Sequence, residues 1–344
     1  MTTVNSAYPH DPTAIEAPAP RRTRRKAIGA LVIRLGAVTA FAAILLYLAV
    51  AAPGFTLPGN LINIVEQSAI LGVMAFGMSV VIIGGGSNVT EGGIDLSIAA
   101  NMGVCAAVYA KLLMLGYADG PALGATAVVG IAIGALNAYA VVGLGILPLL
   151  ATLAVMNIAA GIELTVTQNT VISVTSPFLD FLSNASLFGI SALAGALILA
   201  SAIMIALIHC TSFGLRLYAV GGHPEAARAA GIGASRYVMF TYMFSGLCAA
   251  ISSVLMVSRL SSSTPGSGEM LLSVLAAALL GTVFSRRFVP TMGGTLLSVL
   301  FIGCLANGFQ LLNVSSYWVN GVQGALILLV VATTSFARKP ESGQ

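Results

Sequence analysis

From residue 31 to residue 335 the chain alternates long apolar runs with short polar breaks. A helix that crosses a bilayer needs about 20 mostly apolar residues. Runs suited to that length fall at 31–52, 61–83, 98–116, 121–144, 147–166, 187–208, 237–260, 270–284, 292–312 and 319–335. The eighth is short, and the fourth and fifth nearly touch. The runs do not alternate with period two, as the strands of a β-barrel would. The pattern therefore predicts an all-α polytopic membrane protein of about ten transmembrane helices.

Two breaks in the pattern carry most of the information. In "GGGSNVTEGGIDLS" (84–97) the density of glycine argues against a continuous helix, so a broken helix is expected near 84–97. Irregular backbone at membrane depth is tolerated only where protein buries it or where it lines a wet cavity. Two readings stay open. Asp95, Ser97 and Asn101 line a polar path or cap the third span, or the segment is an inner-side connection in which Asp95 is a helix N-terminal acid. The second break, "AVGGHPEAARAAGI" (219–232), lies in the connection at about 209–236. Gly221 and Gly222 allow a sharp turn there. Pro224 suits the first turn of a helix and Glu225 its positive end. Ala226, Ala227 and Arg228 propagate it, and Gly231 can end it. A helix this short is not stable alone and needs a partner surface or its own neighbours. The plain alternative is a loop helix lying on the membrane.

Composition agrees with the pattern. The chain has 344 residues, 58% hydrophobic and 8% charged, where soluble domains carry about 25% charge. A net charge of +4 is too small to indicate nucleic acid. The basic block at 21–26 precedes the first run, which predicts a retained first span behind a disordered tail. The remaining Lys and Arg fall mostly in alternate connections, and the positive-inside rule then puts both termini in the cytoplasm. The expected organisation is a tail at 1–26, a transmembrane domain at 27–338 and a second tail at 339–344. Cys105, Cys210, Cys248 and Cys304 are scattered singly, and no metal site is expected.

Acids inside apolar runs are functional candidates, because a charge at the bilayer centre costs about 2.5–3.5 kcal/mol on insertion scales. Glu66, Glu91, Asp95 and Glu163 are those to weigh. Glu163, late in the fifth run, is expected to face external water. Arg259 and Glu269 flank "SSSTPGSG" (261–268), and an exposed ion pair between them would contribute little. Asn137, Thr152, Asn157 and Asn307 are polar and embedded in spans, compatible with a wetted path and equally with helix–helix contacts. Trp318 and Tyr317 read as an interfacial anchor. A nucleotide-binding P-loop needs a lysine in a glycine-rich motif, and Lys26, Lys111 and Lys339, the three lysines, have no such setting. With His10, His209 and His223 as the three histidines and no H-E-x-x-H, an intramembrane enzyme is not indicated.

Four segments resemble the permease subunits of ribose-type ABC sugar importers: "EGGIDLSIAANMG" (91–103), "LPLLATLAVMNIAAGIELTVT" (147–167), "FGLRLYAVGGHPEAARAAGI" (213–232) and "NGFQLLNVSSYWVNGVQGALILLV" (307–330). They are spread along the chain beyond residue 60, from 91 to 330, in the family's order and at its spacing. The resemblance implies a multi-pass protein of the bacterial cytoplasmic membrane. Its implied partners are a second permease subunit, cytoplasmic ABC ATPase subunits that use ATP and Mg, and an external sugar-binding protein that delivers a monosaccharide. The chain itself would carry no cofactor. In that family the short helix of the 209–236 connection docks on the ATPase, which would give Glu225 and Arg228 their task. The 167–183 segment is, by position, the contact for the binding protein. This sequence departs from the pattern in three places. His223 stands where the family has Asn, a better helix cap. Arg286 and Arg287 enlarge a loop that is usually rich in Gly and Ser, and Ala160 replaces a usual Arg. The rival reading is an ion-coupled secondary transporter that uses Asp95 or Glu66.

Overall fold

The computed structural model describes residues 36, 38–86, 93–187, 189–285 and 289–338. The basic block at 21–26, Glu91, Arg286, Arg287 and Lys339 lie outside the described residues. The helices are α1 (Val38–Ala51), α2 (Pro58–Gly85), α3 (Ile98–Met114), α4 (Asp119–Ala138), α5 (Pro148–Thr167), α6 (Pro177–Asn184), α7 (Ala192–His209), α8 (Ser212–Gly222), α9 (Pro224–Ala229), α10 (Ala234–Leu260), α11 (Leu271–Leu280), α12 (Met292–Leu311) and α13 (Ser316–Arg338). Each of the ten apolar runs contains one of them. Six of the described helices, α2, α4, α5, α7, α10 and α12, are long and apolar enough to cross a membrane, whereas α1, α3 and α11 are shorter.

The bundle is built around α2. Every residue from 68 to 84 is buried, and α2 packs against α7, α8, α10, α11 and α12. A helix that is apolar on all sides belongs in an interior. By contrast α5 and α7 expose Leu153, Ile158, Ile198 and Leu199, a periphery suited to hydrocarbon rather than water. Helices α4 and α10 approach closely because both are glycine at the contact: a β-carbon on Gly130 would lie 2.5 Å from the Gly246 carbonyl oxygen. Small residues at a crossing let membrane helices bring their backbones together.

Short elements tie the connections. Ile172 and Ser173 (β1) pair antiparallel with Ser263 and Ser262 (β4), which fastens the connection after α5 to the one after α10. Ser186 and Leu187 (β2) pair with Ile190 and Ser191 (β3). Within the 167–183 segment Ser176 caps α6 by accepting the Leu179 N–H at 3.2 Å. Helix α4 continues through a π turn, Tyr139–Gly143, before Pro148 opens α5.

Several sequence expectations are corrected. Glu163 does not face water: it is 2% exposed and its carboxylate lies against Gly103 of α3, where a β-carbon would be 2.6 Å from Oε2. The notch left by a glycine on the neighbouring helix admits it. Arg259 does not turn to Glu269. It contacts Glu66 at 3.7 Å and donates to Asn63 Oδ1 at 3.0 Å, because its helix ends beside α2. Gly221 and Gly222 are not a turn but the last residues of α8, a helix that the apolar pattern missed because its hydrophobic stripe is narrow. His209 closes α7, and its Nε2 accepts the Met292 N–H at 3.2 Å.

Candidate functional site

The polar residues singled out above fall into distinct places. The first is built by the chain's return after α2. A β-carbon on Gly93 would overlap the Val81 carbonyl oxygen, so glycine lets this strand of backbone lie directly on the last turns of α2. That contact buries Ile94 and Asp95, which is 1% exposed. Asp95 Oδ1 accepts the Ser97 N–H at 3.0 Å and the Ser97 hydroxyl at 2.7 Å. Asn137 Nδ2, from α4, reaches the same oxygen at 3.3 Å and donates to Ser97 Oγ at 2.7 Å. Ser245 of α10 donates to Oδ2 at 2.6 Å. One carboxylate thus joins the start of α3 to α4 and α10. Asp95 does sit at a helix N-terminus, yet inside the bundle rather than in a solvated connection.

Asn101 and Thr152 flank this knot. Asn101 Nδ2 donates to the Gly130 carbonyl at 3.1 Å, beside the Gly130–Gly246 contact. The Thr152 hydroxyl donates to Pro148 O at 2.8 Å and reaches Ile94 O at 3.4 Å. The other two candidates lie apart. Asn157 is on the exposed side of α5, bonded to Leu153 O at 2.8 Å. Asn307 of α12 forms a reciprocal amide pair with Asn60 of α2 at 2.9 and 3.0 Å.

The second place is the hairpin of α8 and α9. His223 is extended between them, with φ −146° and ψ 83°, and caps α9 without a side-chain hydrogen bond. Gly231 ends the segment with φ +77°, a left-handed conformation that glycine adopts without strain. The hairpin rests on an apolar seat of Val220, Ala227 and Ala234, and Gly221 lies against the Ile83 carbonyl of α2. Glu225 and Arg228 of the hairpin are exposed and 3.3 Å apart. A cavity of about 290 Å³ separates the hairpin from the knot, bounded by Gly93, Val141, Pro148, Pro224, Arg228 and Tyr242. Tyr242 is fully buried, and its hydroxyl has no hydrogen-bond partner among the described residues. Neither Tyr242 nor Ser245 stood out in the sequence, since single hydroxyls are common in apolar helices.

The third place is a cavity of about 710 Å³ between α2, α11, α12 and α13, with amides and hydroxyls along its wall. It was not anticipated. The available signal was the pairing of Asn320 with Gln323 in α13 and of Asn307 with Gln310 in α12, because residues three apart share a helix face.

With these sites in view, the comparisons with known proteins become specific. Residues 60–331 match the family model described as branched-chain amino acid transport system / permease component. The ribose import permease protein of Bacillus subtilis is 34% identical over 81% of this chain and 85% of its own length. That of Escherichia coli K12 is 31% identical over 81% and 86%. The L-arabinose ABC transporter permease protein of Azospirillum brasilense is 27% identical over 95% and 94%. No solved structure matches. The family match runs from the first turn of α2 into α13 and includes the acid knot and the α8–α9 hairpin, and the chain belongs to this permease family.

Proposed function

We propose that this chain is the membrane-spanning permease subunit of an ATP-driven monosaccharide importer of the bacterial cytoplasmic membrane. Its partners in this reading are cytoplasmic ABC ATPase subunits, a second permease subunit, identical or related, and an external sugar-binding protein. Both termini face the cytoplasm. The ribose and L-arabinose permeases among its relatives support the substrate class. The observation that carries the mechanism is the α8–α9 hairpin. It is seated by apolar contacts on the start of α10 and by Gly221 on the end of the central helix, while the Glu225 and Arg228 side chains are exposed. A helix of six residues cannot hold itself in water. Clamped between its seat and an ATPase groove, it transmits movement of the ATPase to α2 through the Gly221–Ile83 contact and to α10 through Ala234. Arg216, Arg228 and Arg236 share this end of the bundle, in keeping with a cytoplasmic face.

The test is uptake into vesicles that hold the complete complex. Replacing Glu225 and Arg228 together with Ala should leave the permease in the membrane and separate ATP hydrolysis from uptake. Sugar accumulation at the normal rate by that double variant would remove the coupling role. Uptake by the permease alone, driven by an ion gradient, would favour the ion-coupled rival instead.

A further inference from the structure

Among the described residues, the wall of the α2–α11–α12–α13 cavity carries no charged side chain. Glu66, adjacent to Gln67 in the chain, is engaged with Arg259. Gln67, Ser68, Ser273, Gln310, Asn320 and Gln323 supply amides and hydroxyls from all four helices. Primary amides offer both donors and acceptors, and so do hydroxyls. This is the complement of a polyol, whose hydroxyls each donate and accept. Leu71, Ile302 and Val319 add the apolar surface that the C–H face of a sugar ring requires. The volume lies within the roughly 300–1,000 Å³ of small-molecule sites.

Two buried side chains mark the deep end of the wall, Ser68 in the notch of Gly303 and Gln323, whose amide leaves the wall incomplete by itself. Ser68 is 1% exposed, and its hydroxyl has no hydrogen-bond partner among the described residues. A buried hydroxyl of that kind is normally satisfied. Gln323, also 1% exposed, accepts the Ser273 hydroxyl on Oε1 at 2.9 Å. Its carbonyl end is thereby held, and its NH2 end remains to donate. A zwitterion fits this wall poorly, because a carboxylate and an ammonium buried here would meet no counter-charge.

We propose that this cavity is a binding subsite for an uncharged, polyhydroxylated ring of monosaccharide size, held by Gln323 at its deep side and by Gln67, Gln310 and Asn320 around it. The proposal rests on the importer reading for its place in a transport cycle. Its position suits delivery from outside: the cavity lies at the α12–α13 turn and the start of α11, the end of the bundle opposite the α8–α9 hairpin. The subsite would also select against amino acids, for whose transport systems the family is described.

The experiment uses the full chain in lipid nanodiscs, with D-ribose, L-arabinose and L-leucine as probes in saturation-transfer NMR. A sugar should show transfer and L-leucine none. Gln323→Leu removes the held amide, and Ala306→Phe fills the cavity without touching a hydrogen bond. Each should weaken sugar binding by at least about tenfold, whereas Thr165→Ala, on the exposed side of α5, should not. Both variants should still assemble with the ATPase by size exclusion, which guards against misfolding. In the assembled importer the same two variants should lose monosaccharide uptake to a similar degree. No transfer to either sugar, or transfer to L-leucine as strong as to the sugars, would overturn the subsite. Import at wild-type rates by both variants would overturn it as well and leave the importer reading intact. Import of no monosaccharide by the assembled wild-type complex would overturn the importer reading, while NMR on the isolated chain still decides the subsite.

Discussion

The knot around Asp95 and the cavity around Gln323 are made from the same kinds of side chain and differ in where their hydrogen bonds go. At Asp95 a serine, an asparagine and a second serine converge on one carboxylate from three parts of the chain. In the cavity Ser68 is equally buried yet has no partner among the described residues, and the Gln323 amide is engaged at its carbonyl end by Ser273. What separates the two is helix spacing. Gly93, Gly130 and Gly246 bring backbones close enough for side chains on α4 and α10 to meet at Asp95. Around Gln323 the helices stand apart and leave about 710 Å³. Burial alone therefore does not distinguish a polar group that holds the bundle together from one left for a ligand.

That contrast can be broken by substitution, with thermal unfolding of the permease in nanodiscs as the common measurement. The largest effect is expected for Asp95→Ala. It takes the acceptor away from four buried donors, at a cost on the order of 3–5 kcal/mol, and the protein should accumulate poorly in the membrane. Asp95→Asn retains an acceptor and should fall between the two. Equal yields from all three would show that the knot is not structural. Gly246→Val comes next: a side chain there would overlap the Gly130 carbonyl, α4 and α10 must separate, and overpacking of this kind costs about 1–3 kcal/mol. Ser245→Ala leaves Asp95 Oδ2 without its donor in the interior and should cost about 1–3 kcal/mol.

Ser68→Ala sharpens the comparison from the other side. Its hydroxyl gives up no hydrogen bond, so stability should hold or rise, within about 1 kcal/mol, even though the residue is as buried as Asp95. A loss as large as that for Ser245→Ala would erase the distinction between knot and cavity. The smallest effect is expected at the α8–α9 hairpin. Glu225 and Arg228 are exposed and paired with each other, so replacing both with Ala should leave the unfolding midpoint in place and act only on coupling.

Much of this architecture was legible in the sequence. A described helix lies in each of the ten apolar runs, and Pro224 and Gly231 bound the short helix between them. These features follow from local rules: apolar length, proline at a first turn, glycine at a left-handed end. The site was legible only in part. Asp95, Ser97 and Asn137 meet as one cluster, yet Ser245, which completes it, stands 150 positions from Asp95. Nothing near it in the chain marks it out among the serines of α10. Glu163 read as a residue for external water because it lies late in its helix. It is buried because Gly103, on another helix, leaves room for it.

The sequence by itself determined that this chain forms membrane helices and where most of them begin and end, because the length of an apolar run and its flanking Gly and Pro act within one segment. The tertiary structure decided which buried polar groups are spent on each other and which stay available. A hydrogen bond across helices depends on the distance between their axes, and here small residues on the facing helices set that distance.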